Sequence, residues 1–188
     1  MSEYRFFVHN LAINNVNQVF LNSDAGKMLD VYSEIFANSR ESVRIFAGNL
    51  CNDSMDSSDY IEALSDFIER KGNLRILLNN FDIDVAKKTN LYKRLAYYKA
   101  EGADIQIKST PAKPYILVGN GDKRINVHFA VGDNVSYRLE NDTENRTAIC
   151  NMSDPETASK YADIFDKIFS NDSSKTVDLN AVIPAETK

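Results

Sequence analysis

Val43-Arg44-Ile45-Phe46-Ala47-Gly48 opens a segment that closes with Leu74-Arg75-Ile76-Leu77-Leu78. Both runs are short, rich in aliphatic and β-branched residues, and bounded by turn formers, so each predicts a buried strand. Between them Tyr60, Ile61, Leu64, Phe67 and Ile68 recur at the spacing of a helix with one apolar face. Asp59 with Glu62 three residues on fits a capping box at its start, and Arg70-Lys71-Gly72 fits its end, glycine taking the left-handed conformation. Strand, helix and strand in such close succession need a crossover connection. Crossovers are right-handed, so the two strands lie parallel in one sheet.

The same logic extends downstream. A helix over 84–101, with Val85, Leu91, Leu95 and Tyr98 inward and Gly102 as its stop, leads to a third strand, Asp104-Ile105-Gln106-Ile107-Lys108. Upstream, Asp24 caps a helix whose apolar positions are Met28, Leu29, Tyr32, Ile35 and Phe36. Residues 1–22 show no clear period and read as an irregular or strand-like lead-in. Beyond Pro111 and Pro114, short strands are expected at 115–118, 125–131, 135–139 and 147–152, with turns at Gly119-Asn120-Gly121-Asp122 and Gly132-Asp133-Asn134. Asp154-Pro155 opens a last helix with Ala158, Tyr161, Ile164, Phe165, Ile168 and Phe169 on its apolar face. The expectation is one mixed α/β domain over 1–170. Three parallel strands from βαβαβ units are extended by antiparallel strands, with helices on both faces. Residues 171–188 read as a polar tail, in which Ala181-Val182-Ile183 is a candidate terminal strand.

Composition narrows the functional classes. The chain has 188 residues, 43% hydrophobic and 26% charged, with a net charge of −5. No apolar run approaches the roughly 20 residues that cross a bilayer, and the first residues lack a basic leader with a long apolar stretch. A non-secreted, cytoplasmic protein without membrane contact is expected. Cys51 and Cys150 are too few for a disulfide framework or a zinc site, so reduced thiols, no metal and no cofactor are expected. Segment 87–124 holds nine basic residues against three acidic ones, although the chain as a whole is acidic. This segment is a candidate contact for nucleic acid or a partner protein, the plainer alternative being a solvated helix face and loop. Walker A, dinucleotide-binding, His-Glu-x-x-His and Gly-x-Ser-x-Gly motifs do not occur.

Ile125-Asn126-Val127-His128-Phe129-Ala130-Val131 alternates, placing Asn126, His128 and Ala130 on one face. This run, the preceding strand–helix–strand order, and a closing strand and helix (Asn145-Arg146-Thr147-Ala148-Ile149, then Asp154-Pro155-Glu156 onward) resemble the phospholipase D-like superfamily over residues 25–170. The resemblance implies a His-x-Lys motif whose histidine attacks phosphorus to form a phosphohistidine, while the lysine neutralises phosphate oxygens. It also implies an acid separated from the lysine by four intervening residues, a following Gly-Ser, and a homodimer in which two single-motif copies build one site.

His128 matches this pattern, but Ala130 occupies the lysine position and Val135 the acid position. Asp133 lies two residues early, no Gly-Ser follows, and Thr147 stands where a downstream glutamate is common. Losing one preorganised cation at a phosphoryl centre costs about 10²–10³ in rate. Arg138 has the parity to replace it from the neighbouring strand. His128 is therefore a hydrogen-bonded structural histidine, a vestigial phosphate ligand or a nucleophile, and Ala130→Lys would ask whether the lysine alone is lacking. His9 is isolated and not expected to be catalytic. Ligands of such sheets bind beyond the carboxyl ends of the parallel strands, so Asn49, Asn79, Asn126 and Arg138 are candidate ligand-binding residues. Three readings stay open: a catalytically inactive domain acting as a binding or assembly module, with a phosphate-containing ligand or nucleic acid as its candidate ligand; an active phosphodiesterase or nuclease with two His128 residues across a homodimer; and a regulatory protein-interaction domain.

Overall fold

The computed structural model describes residues 2–142 and 147–182. In chain order the elements are α1 (Glu3–Ile13), β1 (Phe20–Asn22), α2 (Ala25–Asn38), β2 (Ser42–Ala47), α3 (Ser58–Glu69), β3 (Asn73–Leu78), α4 (Ile83–Ala86) and α5 (Asn90–Ala100). Next come β4 (Ile105–Ser109), β5 (Tyr115–Val118), β6 (Lys123–Asn126), β7 (His128–Gly132), β8 (Ser136–Asp142), β9 (Thr147–Asn151), α6 (Pro155–Phe169) and β10 (Lys175–Thr176), with a final 3-10 turn at Leu179–Val182. Eight strands form one mixed sheet in the order β1-β9-β8-β7-β2-β3-β4-β10. Strands β2, β3 and β4 are parallel, as the crossover argument requires, and β7, β8, β9 and β1 extend β2 antiparallel.

Both faces of this sheet are covered, so its central strands alternate between two cores. Ile45, Ile76, Ile107 and Ala130 pack with α1, α2, α3 and α5 on one side. Phe46, Leu77, Phe129 and Val131 pack against Ala158, Ala162 and Phe165 of α6 on the other. The face expected to carry polar side chains in the 125–131 run is thus buried at Ala130.

Several local expectations give way to stronger forces. Residues 1–22 are not irregular: Ser2 caps α1, Val8, Leu11 and Ala12 bury one stripe, and buried Glu34 of α2 accepts from Arg5 Nε at 3.1 Å and faces His9 Nδ1 at 2.9 Å. His9 is therefore a packing residue of α1. Helix α3 is capped by Ser57, whose hydroxyl accepts from the Tyr60 N–H, and Asp59 instead lies in the first turn. At its end Lys71, not Gly72, takes the left-handed conformation. Gly72 is needed for close approach, because a Cβ there would meet the Phe67 ring at 2.2 Å. The helix expected over 84–101 breaks into α4 and α5, because Thr89 bonds the Ala86 carbonyl and caps α5 at Tyr92. The run 125–131 also divides. Asn126 ends a separate β5–β6 hairpin, while the Val127 N–H turns to the Pro114 carbonyl. The described part of the tail is ordered: β10 pairs with β4, and Leu179 and Val182 are buried in the core beside α5. Ile183 lies outside the described residues, as do Asn145 and Arg146.

Asp133 shows how the β7–β8 turn is tied to the sheet. It adopts a φ of 49°, and its carboxylate accepts from the backbone N–H groups of Arg40, Glu41 and Ser42 at 2.6, 2.9 and 2.8 Å. This clamp holds the amino end of β2 against the turn, and it explains an acid displaced from the position implied by the family pattern. Hydrogen bonds to a charged group are worth roughly 1.5–3 kcal/mol each. Sharing one part-exposed carboxylate reduces the sum, so Asp133→Ala should cost about 3 kcal/mol in urea unfolding. Asp133→Asn keeps the tolerance for positive φ and one acceptor, and should lose less.

Candidate functional site

The carboxyl end of β2 runs into Gly48-Asn49-Leu50, and this turn roofs a small cavity over the sheet. Its volume is about 160 Å³, and it is lined by Met28 and Tyr32 of α2, Asn49, Asn52 and Met55 of the loop, and His128, Arg138 and Glu140 of the sheet. The register explains the grouping. His128 of β7 lies opposite Glu140 of β8, and Ala130 opposite Arg138. Arg138 in turn faces Cys150 of β9, whose other neighbour is Phe20 of β1. A single row across the sheet thus places arginine directly beside the position where the family pattern has lysine.

The three ionisable side chains form a chain. His128 Nδ1 lies 3.4 Å from Glu140 Oε2, and Arg138 Nη2 donates to Glu140 Oε1 at 3.2 Å. Arg138 Nε donates to Asn22 Oδ1 at 2.9 Å, and its guanidinium lies 5.5 Å from the centre of the Tyr32 ring. Arg138 is only 1% exposed. Burial alone would raise the Glu140 carboxyl, but His128 and Arg138 outweigh it and hold the carboxyl below the ordinary glutamate range. Burial likewise disfavours the Arg138 charge, and at neutral pH the Glu140 carboxylate beside it opposes that. Tyr32 itself is pushed up to about 12 by burial, so it stays a neutral hydroxyl. Burial also lifts Cys51 to about 11 and Cys150 to about 12, which leaves neither as a thiolate nucleophile at neutral pH.

The candidate residues fall into three places. His128, Arg138 and Asn49 meet in this cavity, where the Asn49 side chain is already used by its own loop, accepting from the Cys51 N–H at 2.9 Å. Asn79 lines a separate cleft with Phe81, Ser109 and Thr110 at the ends of β3 and β4. Asn126 is exposed on the β5–β6 hairpin. Glu140 is the residue that sequence reasoning missed. A hairpin turning at Asp133, Asn134 and Val135 pairs positions that sum to 268, which puts 140 opposite 128.

The basic segment is also divided. Its α5 part packs on the core shared with α2 and α3, while Ile116 of the hairpin packs on the α6 side. Lys108 reaches the end of α6, its Nζ donating to the Phe169 carbonyl at 2.7 Å. Among the described residues no cluster of three His, Cys, Asp or Glu could hold a metal ion, and no helix is long and apolar enough to cross a membrane.

No protein-family model matches the sequence, and no curated protein matches it by sequence. Solved structures match in fold. The archaeal chromatin protein TrmBL2, whose structure is described as showing a novel mode of DNA binding, aligns with a TM-score of 0.62 at 11% identity over 86% of this chain and 54% of its own. The phospholipase D family member Nuc from Salmonella typhimurium aligns at 0.55 and 12% identity, over 85% of this chain and 97% of its own. NucT from Helicobacter pylori aligns at 0.53 and 16% identity, over 86% and 98%. The chain therefore spans about half of TrmBL2 and nearly all of the other two. Its fold is phospholipase D-like, with parallel β2-β3-β4 inside a mixed eight-stranded sheet.

Proposed function

We propose that this chain is a catalytically inactive phospholipase D-like domain that works as a binding module, with nucleic acid engaged outside the His128 cavity. One observation carries this reading: the cation beside the lysine position is turned inward and spent. Arg138 is buried, neutralised by Glu140 and bonded to Asn22, so the cavity offers an incoming phosphate a carboxylate where it needs a free cation. Phosphoryl transfer relies on such preorganised positive charge. The cavity is also below the roughly 300 Å³ at which ligand pockets usually begin.

An outward surface suits a polyanion better. On the β5–β6 hairpin, Tyr115 and Leu117 are 46% and 58% exposed, and Arg124 lies 4.5 Å from the centre of the Tyr115 ring. Lys113 precedes this face in the chain, while Lys123, opposite Val118, lies on the other face of the hairpin near its tip. A basic ribbon with an exposed aromatic ring combines phosphate attraction with a stacking platform. The fold shared with TrmBL2 is consistent with this use.

The alternative is a live phosphodiesterase, favoured by one contact: His128 and Glu140 form an imidazole–carboxylate pair of the kind that orients a nucleophile. One experiment separates the two. A fluorescent oligonucleotide incubated with the chain should bind, release steeply with salt, and stay intact. Arg124→Ala should flatten the salt dependence by about one phosphate contact. Cleavage that His128→Ala abolishes would establish the alternative, and absent or salt-insensitive binding would remove the nucleic-acid reading.

A further inference from the structure

Helices α3 and α5 cross over successive pairs of parallel strands and therefore run in the same direction. Two contacts fix their alignment: Asn90 Nδ2 meets Asp56 Oδ2 at 3.4 Å near the amino ends, and the Tyr98 hydroxyl donates to Glu69 at the carboxyl ends. Between them lies an open groove of about 790 Å³. Its two walls carry opposite charge. Glu62, Asp66 and Glu69 form an exposed stripe on α3 at four- and three-residue spacing. Lys93, Arg94 and Tyr97 form the facing stripe on α5, with Tyr97 53% exposed.

Among the described residues no ion pair crosses this groove, because the facing charges lie beyond salt-bridge distance. Two rows of opposite charge stand over a floor of Ile61, Ser65 and Tyr98, with the Arg94 guanidinium 6.0 Å from the centre of the Tyr98 ring, and no wall charge has an ion-pair partner among the described residues.

We propose that this groove is the face through which two copies of the chain pair. A twofold axis running along the groove exchanges its left and right walls while preserving height along the helices. The acidic stripe of each copy then lies over the basic stripe of the other, level by level, which is the self-complementarity an isologous interface requires. Tyr97 of each copy projects into the open volume between the walls. No other arrangement of the same patch on itself brings both stripes into register with opposite charge. The groove shares no residue with the His128 cavity, so the pairing stands whether or not that cavity is catalytic.

The helices are about 16–18 Å long at 1.5 Å per residue. The face therefore buries less than the roughly 800 Å² per partner of a standard complex, and the dimer belongs in the micromolar range. Because its complementarity is electrostatic, it should weaken with salt.

Sedimentation velocity of the full chain from about 1 to 200 μM tests this, at low and high ionic strength. The expected result is a monomer–dimer equilibrium whose dissociation constant rises at least about tenfold between the two salts. Lys93→Glu with Arg94→Glu, and separately Glu62→Lys with Asp66→Lys, should each be monomeric. Mixed in equal amounts, the two reversed variants should associate again, because each now complements the other. A parent chain that stays monomeric at 200 μM in low salt overturns the proposal. So does a dimer that both reversals leave intact, or reversed variants that fail to associate when mixed.

Discussion

Ala130→Lys is expected to destroy cooperative folding or to lower its free energy by more than about 4 kcal/mol, and to yield no phosphodiesterase activity. At the level of the sequence the substitution looks like a repair, since it restores the family's His-x-Lys pattern. Packing makes it a disruption. Ala130 is fully buried, with Ile45 of β2 on one side and Arg138 of β8 on the other, inside the core formed with α2. Adding a four-carbon stem to a filled position costs about 1–3 kcal/mol in strain. Its ammonium would also enter beside a guanidinium, and an uncompensated buried charge costs about 3–5 kcal/mol. Against a typical stability of about 5–15 kcal/mol, the sum is enough to unfold many domains.

The compensating experiment moves the cation rather than adding one. In Ala130→Lys with Arg138→Ala, the large side chain and its charge pass from β8 to the directly opposed site on β7, diagonal to Glu140. The double variant should regain at least about 2 kcal/mol over Ala130→Lys alone, because the volume is conserved and the carboxylate again has a cation within a side chain's reach. Urea unfolding of the four species measures the coupling. A single Ala130→Lys variant within about 1 kcal/mol of the parent would show that the position tolerates lysine, contrary to this account.

The parts of this molecule that were legible in the sequence are those governed by local pattern. Strands β2 and β3 announce themselves as largely apolar runs and β4 as an alternating one, and Asp24 and Asp154 each cap the helix expected of them. The parallel core then follows from crossover handedness alone. What escaped was non-local. Helix α1 has only three buried residues and leans on Glu34, a partner more than twenty positions away, so its own segment shows little period. The break at Thr89 depends on one hydroxyl choosing a cap over helical continuation. The burial of Ala130 required knowing that α2 covers that face of the sheet. The same distinction applies to the site. His128 and Arg138 were visible as residue types with suitable parity, but the carboxylate between them is a product of hairpin register. The acid sought at position 135 was absent, and the nearby Asp133 serves the backbone of β2 instead.

Arg138→Ala should cost about 3–5 kcal/mol at neutral pH, because it removes one partner of a buried ion pair and strands the other. Glu140 would remain beside His128 with its largest source of fixed positive charge gone, and Asn22 would lose the donor to its Oδ1 at 2.9 Å. The pH dependence identifies the ion pair as the cause. In the parent, the folded state holds the Glu140 carboxyl below its ordinary value of 4.5. The pair's contribution is therefore complete above about pH 4.5 and is lost as the pH falls through the lower folded value. Glu140→Gln removes this dependence and should flatten the acid limb of the stability curve. In Arg138→Ala the stranded carboxylate is relieved by protonation, so its deficit against the parent should shrink on going from pH 7 toward pH 4. A deficit independent of pH would mean that Arg138 acts through packing on Tyr32 rather than through charge. Arg138→Met with Glu140→Gln should cost less than Arg138→Ala alone, since it removes both charges and keeps most of the buried volume. That ordering is what separates a charge pair kept as one structural unit from an arginine held in reserve for a phosphate.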